Sequence, residues 1–130
     1  MWMSELVKHI DLPIKLEFIS AHSYGASKIS SGIVKVDKDI EQDIYKKDVL
    51  IVEDIIDTGR TLKYVAELLK SRNPLSFKIV TLLDKPSRRV IDLKADISLF
   101  TIPDYFVIGY GLDCDEYYRN LPYIAEYDNS

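Results

Sequence analysis

The stretch from Val49 to Thr61 constrains this chain more than any other. Val49, Leu50, Ile51 and Val52 form an apolar run, and Glu53 and Asp54 follow at once. Such a run suits a strand buried on both faces of a parallel sheet. The paired carboxylates then stand at the strand's carboxyl end, and Asp57 begins a tight Asp57-Thr58-Gly59 turn. A helical pattern runs on from Thr61 towards Arg72. Open α/β sheets bind ligands at this place, just beyond the carboxyl ends of their strands.

Each residue type in the turn has a physical use. Gly59 tolerates positive φ and lets a ligand come close to the backbone. Thr58 and Thr61 supply hydroxyl donors, and the following helix adds the positive end of its dipole, so the turn can cradle a phosphate. Glu53 and Asp54 are acceptors when ionised, able to hold either sugar hydroxyls or a hard cation such as magnesium through water. Carboxylates beside a phosphate repel it unless a cation or hydroxyls intervene. The combination points to a sugar phosphate with a divalent metal. The bland alternative is an ordinary acidic strand end followed by a helix cap, which many α/β proteins contain.

Composition narrows the classes. The length of 130 residues is that of one domain, residues 1–130, with enough chain to bury a core. A net charge of -4 argues against a nucleic-acid binder held by phosphate contacts. The lone Cys114 excludes an internal disulfide and fits a reducing, cytoplasmic setting. No apolar run approaches the roughly 20 residues of a membrane span. Met1-Trp2-Met3-Ser4-Glu5 lacks the basic-then-apolar order of a signal peptide.

In chain order, Trp2, Met3, Leu6, Val7 and Ile10 share one helical face, which Asp11-Leu12-Pro13 ends. Ile14, Leu16 and Phe18 alternate with Lys15 and Glu17, the pattern of a strand with one buried face. Residues 21–32 are rich in Ser, Gly and Ala, and read as a hairpin connection or as a lid over a site. A strand restarts at Gly32 to Val36, and Asp37 to Lys47 is a solvated turn. Leu62, Val65, Leu68 and Leu69 make a core stripe, with Lys63 and Glu67 spaced for an ion pair. Asn73-Pro74 stops that helix.

Phe77 to Leu83 is the next buried strand and runs into Asp84-Lys85-Pro86-Ser87-Arg88-Arg89. That basic cluster is either a solvated loop or, at Lys85, a ligand reader. Ile97 to Ile102 is a further strand, followed by a Pro103-Asp104 turn. Phe106 taken alone is a core aromatic, and Arg119 taken alone a surface ion-pair partner. His9 and His22 show no metal-ligand spacing.

Taken together, the Ser23-Tyr24-Gly25 loop, Val49 to Thr61, Leu82 to Lys85, and Phe106 to Arg119 resemble the type I purine phosphoribosyltransferases. Glu53 before Asp54, with Ile55-Ile56-Asp57, is similar to the hypoxanthine(-guanine) branch. The resemblance covers nearly the whole chain. It implies an α/β fold, a mainly parallel twisted sheet flanked by helices, with a small hood from the carboxyl-terminal third.

It further implies transfer of phosphoribosyl from 5-phosphoribosyl-1-pyrophosphate to hypoxanthine or guanine, giving IMP or GMP and pyrophosphate, with Mg2+. By resemblance, Thr58, Gly59, Arg60 and Thr61 take the 5-phosphate, and Glu53 and Asp54 the ribose hydroxyls and metal water. Asp57 faces N7 of the base as proton acceptor or donor. Lys85 bonds the 6-oxo group, Phe106 stacks on the base, and the Val107 backbone meets the base edge. Asp113 helps hold magnesium, Arg119 contacts pyrophosphate, and Ser23 and Tyr24 sit on a closing loop. Family members of full length would form homo-oligomers, dimers or tetramers.

The resembled proteins also carry an amino-terminal segment, with a core strand and a Lys-Gly loop for pyrophosphate, that this chain does not match. Met1 would then be an internal residue of a longer protein, and this chain alone would be less stable and more prone to aggregate. Two other readings stand beside the enzyme: a non-catalytic nucleotide-binding or regulatory module, and an inactive fragment.

Overall fold

The computed structural model describes residues 1–24 and 33–128. Its centre is a parallel sheet of β3 (Asp48–Ile56), β4 (Ser76–Asp84) and β5 (Ile97–Thr101), in that spatial order. Helix α2 (Arg60–Lys70) connects β3 to β4, so the expected α/β architecture is what the chain adopts.

Period-2 alternation explains the packing. Ile51 and Ile79 pair across β3 and β4, and both join the cluster of Leu62, Val65, Ala66 and Leu69 from α2. The next pair, Val52 and Val80, lies on the other face with Trp2 of helix α1 (Trp2–Val7). The buried α2 positions fall at i, i+3, i+4 and i+7, the stripe of a helix lying on a sheet. Ala66 fills that stripe where Leu68 was expected, because Leu68 is only partly buried. Each such leucine or valine, fully buried, contributes about 1.5–3 kcal/mol.

The punctuation of α2 is also physical. Gly59 is its N-cap with φ 88, a left-handed conformation. A Cβ there would lie 3.0 Å from Arg89 Cδ, so only glycine fits without strain. At the other end Asn73 takes φ 56, a left-handed stop before Pro74.

Two antiparallel hairpins complete the fold: β1 (Ser20–Tyr24) with β2 (Ile33–Lys38), and β6 (Val107–Ile108) with β7 (Ala125–Glu126). The first hairpin packs beside α2. The second belongs to the carboxyl-terminal third, where the hood was expected.

Several expectations need correction. Residues 14–18 form no strand, and Ile14, Leu16 and Phe18 are 45%, 47% and 60% exposed. Their alternation lacks a ladder partner among the described residues, and without one an apolar period cannot be satisfied. Of the loop expected over 21–32, Ala21 to Tyr24 is strand β1; residues 25–32 lie outside the described residues. Strand β3 extends through Glu53 and Asp54, so these carboxylates belong to the strand itself. It is not buried on both faces throughout, since Leu50 is 44% exposed. Lys63 does not pair with Glu67: its Nζ donates instead to the Asp92 carbonyl at 3.4 Å.

Candidate active site

The carboxyl end of β3 and the start of α2 enclose a cavity of about 260 Å³, lined by Glu53, Asp57, Thr58, Gly59 and Thr61 among others. Ala21 of β1 closes one side of it. Ser23 on the same strand places its Oγ 3.1 Å from Thr61 Oγ1, which joins the expected closing loop to the expected phosphate cradle. The side chain of Tyr24 lies outside the described residues, as do residues 25–32.

Burial dominates the electrostatics. It pushes the Glu53 carboxyl up to about 7, and repulsion from Asp54 adds to the shift. Asp54 is also raised, chiefly by burial, while the amino terminus and Arg119 pull the other way. A carboxylate pair held this way gains from any cation or hydroxyl donor brought to it.

The turn itself is fixed from behind. Arg89 Nε donates to the Asp57 carbonyl at 3.1 Å, and its Nη1 to the Leu93 carbonyl at 2.7 Å. Its Nη2 pairs with Asp84 at the end of β4, with both side chains nearly buried. Lys85 N donates to the Ile56 carbonyl at 3.0 Å, and Val90 N to the Thr58 carbonyl at 3.2 Å. The basic cluster divides: Lys85 is only 6% exposed, with Nζ 3.9 Å from Asp104, whereas Pro86, Ser87 and Arg88 are exposed, as a solvated loop would be. Arg88, half exposed, donates from Nε to Asp57 Oδ1 at 3.0 Å.

A second group of expected site residues, Asp113 and Arg119, sits on the turn from Gly109 to Leu121. Gly111 lies close beside Asp54, since a Cβ on it would stand 3.7 Å from Asp54 Oδ2. Arg119 Nη1 donates to the Gly111 carbonyl at 2.8 Å, and Nη2 lies 3.4 Å from Asp113 and 3.2 Å from Glu116. Asp113 Oδ2 in turn accepts the Glu116 N–H at 2.9 Å. Tyr110, Asp115, Glu116 and Tyr118 all carry positive φ, a concentration of backbone strain typical of functional turns.

Other residues stand apart from the cavity. Phe106 is 53% exposed, with Tyr127 edge-on at 6.0 Å between ring centroids. It is therefore a displayed aromatic, not the core aromatic it resembles in isolation. Val107 opens β6 and packs against the second core cluster. Arg60 lines a separate groove of about 250 Å³ on the outer side of α2, with Lys63, Tyr64, Glu67 and Ile91.

The carboxylates expected to serve magnesium are not gathered into one cage. Among the described residues no cluster of His, Cys, Asp or Glu could by itself hold a metal ion. Glu53 and Asp54 are nonetheless hard oxygen donors with raised proton affinity, and together with the Asp113 carboxylate they suit a magnesium ion carried mainly by water and ligand oxygens.

Sequence reading did not single out Arg88, Arg89, Asp104 or Tyr127. Their partners lie elsewhere in the chain, and only the adjacency of Arg88 and Arg89 to Lys85 hinted at the first two.

A three-stranded parallel sheet with an acidic β3 end, a glycine-capped helix start and a strained acidic turn beside it defines a class. The chain belongs to the family of the phosphoribosyl transferase domain, whose pattern matches residues 1–115. It is 54% identical over 124 residues to the hypoxanthine-guanine phosphoribosyltransferase of Bacillus subtilis, covering 95% of this chain and 69% of that protein. The enzyme of the same name from Streptococcus pneumoniae is also 54% identical over 124 residues, with the same coverage of each chain. Among solved structures, a hypoxanthine phosphoribosyltransferase from Staphylococcus aureus superposes with a TM-score of 0.94 at 50% identity, covering 98% of this chain and 69% of that one.

Proposed function

We propose that this chain is a purine salvage transferase, moving phosphoribosyl from 5-phosphoribosyl-1-pyrophosphate to hypoxanthine or guanine to give IMP or GMP and pyrophosphate. The observation that carries the reading is the Asp57-Thr58-Gly59 turn, open to a cavity and set at the start of α2.

We assign the roles as the family resemblance implies them. Thr58, Gly59, Arg60 and Thr61 take the 5-phosphate with hydroxyls and the positive end of the helix. Glu53 and Asp54 accept hydrogen bonds from the ribose hydroxyls and from metal-bound water. Asp57, beyond the strand end, exchanges a proton with N7 of the base, help typically worth about 10²–10⁴ in rate. Lys85 donates to the 6-oxo oxygen, a contact that adenine, with an amino donor there, does not return. Phe106 offers a stacking face, and Val107 its backbone to the base edge. Arg119 meets pyrophosphate, and Asp113 would help hold the magnesium. Magnesium, when bound, neutralises the developing charge of the leaving pyrophosphate.

No described helix is long and apolar enough to cross a membrane. From the expected substrates we propose a cytoplasmic setting. We further propose that Ser23 and Tyr24 close over the site, and that the full-length relatives' kind of assembly is a homo-oligomer.

The test is nucleotide formation by this chain from phosphoribosyl pyrophosphate and magnesium with hypoxanthine, guanine or adenine. IMP and GMP should form, with adenine far slower. Equal use of adenine would refute the role of Lys85, and no nucleotide from any base would refute the function.

A further inference from the structure

Consecutive arginines hold Asp57 at both ends. Arg89 takes its carbonyl, and Arg88 takes its carboxylate through Nε at 3.0 Å on Oδ1. The backbone that carries Arg88 is itself fixed. It ends a short 3₁₀ turn, Pro86–Arg88, closed by Arg88 N on the Lys85 carbonyl at 3.0 Å and Arg89 N on the Pro86 carbonyl at 3.1 Å. Anchoring of Arg89 on Asp84 and Leu93 pins the next residue.

Beyond Arg88 lies Asp104, with Oδ1 3.8 Å from the same Nε, and Lys85 Nζ is 3.9 Å from that Oδ1. The charges alternate: Asp57, Arg88, Asp104, Lys85. Hydrogen bonding and charge from Asp57, then charge from Asp104, raise the Arg88 guanidinium above its ordinary value, and an arginine is a cation in any case.

We propose that Arg88 is a positioning residue for the transfer reaction. It orients the Asp57 carboxylate towards the purine and links it, through Asp104, to Lys85. This rests on the reading of Asp57 as the group that exchanges a proton with the base. On a purine, N7 and the 6-oxo oxygen lie side by side, so the groups facing them must keep a fixed spacing. Arg88 and Asp104 bridge those groups. As a bare surface ion pair the contact would matter little to stability. Its value is geometric, because small misplacement of a catalytic group costs far more in rate than in folding. The planar guanidinium fork suits this job better than an ammonium, which carries charge without fixed direction.

The experiment compares unmodified chain, Arg88→Ala, Arg88→Lys, Asp57→Asn and the double variant Asp57→Asn with Arg88→Ala in IMP formation. Arg88→Ala should lower kcat about tenfold, with KM for phosphoribosyl pyrophosphate and the melting temperature little changed. Arg88→Lys should recover part of the loss. In the Asp57→Asn background, removing Arg88 should cost almost nothing more, because both changes act on one group. Wild-type kcat in Arg88→Ala, or losses that multiply in the double variant, would overturn the role of Arg88 alone. Nucleotide formation that is indifferent to Asp57→Asn would overturn the catalytic reading beneath it, and this role with it.

Discussion

At the scale of single residues, Glu53 is the most sensitive group in the site. Its carboxyl is raised from 4.5 to about 7 by burial and by Asp54. Between those values the folded chain holds a proton that the unfolded chain has released. Stability therefore falls as pH rises through that window, and the penalty is complete only above about 7. Asp54 shifts in the same direction. Melting temperatures from pH 4.5 to 7.5 should show this decline, and Glu53→Gln should flatten it. An unchanged slope in that variant would remove Glu53 as the source.

Much of the site was legible at this scale because its chemistry is local. Glu53, Asp57, Thr58 and Gly59 are near neighbours in sequence, and the cavity gathers them from one strand end and turn, with Asp54 facing Gly111 beside it. Arg88 was not legible as a partner of Asp57, since they are 31 residues apart and meet only through the β3–β4 pairing. The Ser23–Thr61 contact, across 38 residues, was reachable only through the family resemblance.

At the scale of elements, strand ends and turns carry the constraints. Arg89 ties the β3 turn to β4 through Asp84, which is only 9% exposed. Arg89→Met would leave that carboxylate buried without its cation, with only the Ser98 hydroxyl, among the described residues, at 3.4 Å from Oδ2. The expected loss is about 3–5 kcal/mol, read as a lowered denaturant midpoint with an unchanged slope. Gly109 is a second constraint, with φ 93 and the Tyr123 carbonyl where a methyl would go. Gly109→Ala should cost at least the roughly 1–3 kcal/mol of a strained backbone and raise amide exchange in β6 and β7. Normal protection there would contradict the packing described.

Elements with strong local signals matched their expected type: α2 by its apolar stripe, β4 by its apolar run, the helix stop at Asn73-Pro74. Residues 14–18 failed because alternation specifies a face and not a partner, and a strand exists only where another strand pairs with it.

At the scale of the whole molecule, the layered order was readable from the succession of strand, helix and strand. What sequence could not supply was which faces stay uncovered. Every residue of β5 is exposed, including Ile97 at 54%, Leu99 at 47% and Phe100 at 59%. Apolar side chains on an edge strand invite association. The isolated chain should elute from size exclusion at a size that grows with concentration, and Leu99→Lys with Phe100→Ser should reduce that growth. A monomer independent of concentration would show that these side chains are tolerated as they stand.

In the proposed reaction the cavity binds, and Asp57 exchanges the proton within it. The measurement that tests this most directly is kcat for IMP formation by Asp57→Asn against the unmodified chain, with IMP affinity measured on both. Turnover should fall by about 10² or more while affinity stays within a few-fold. Turnover unchanged by the substitution would contradict it.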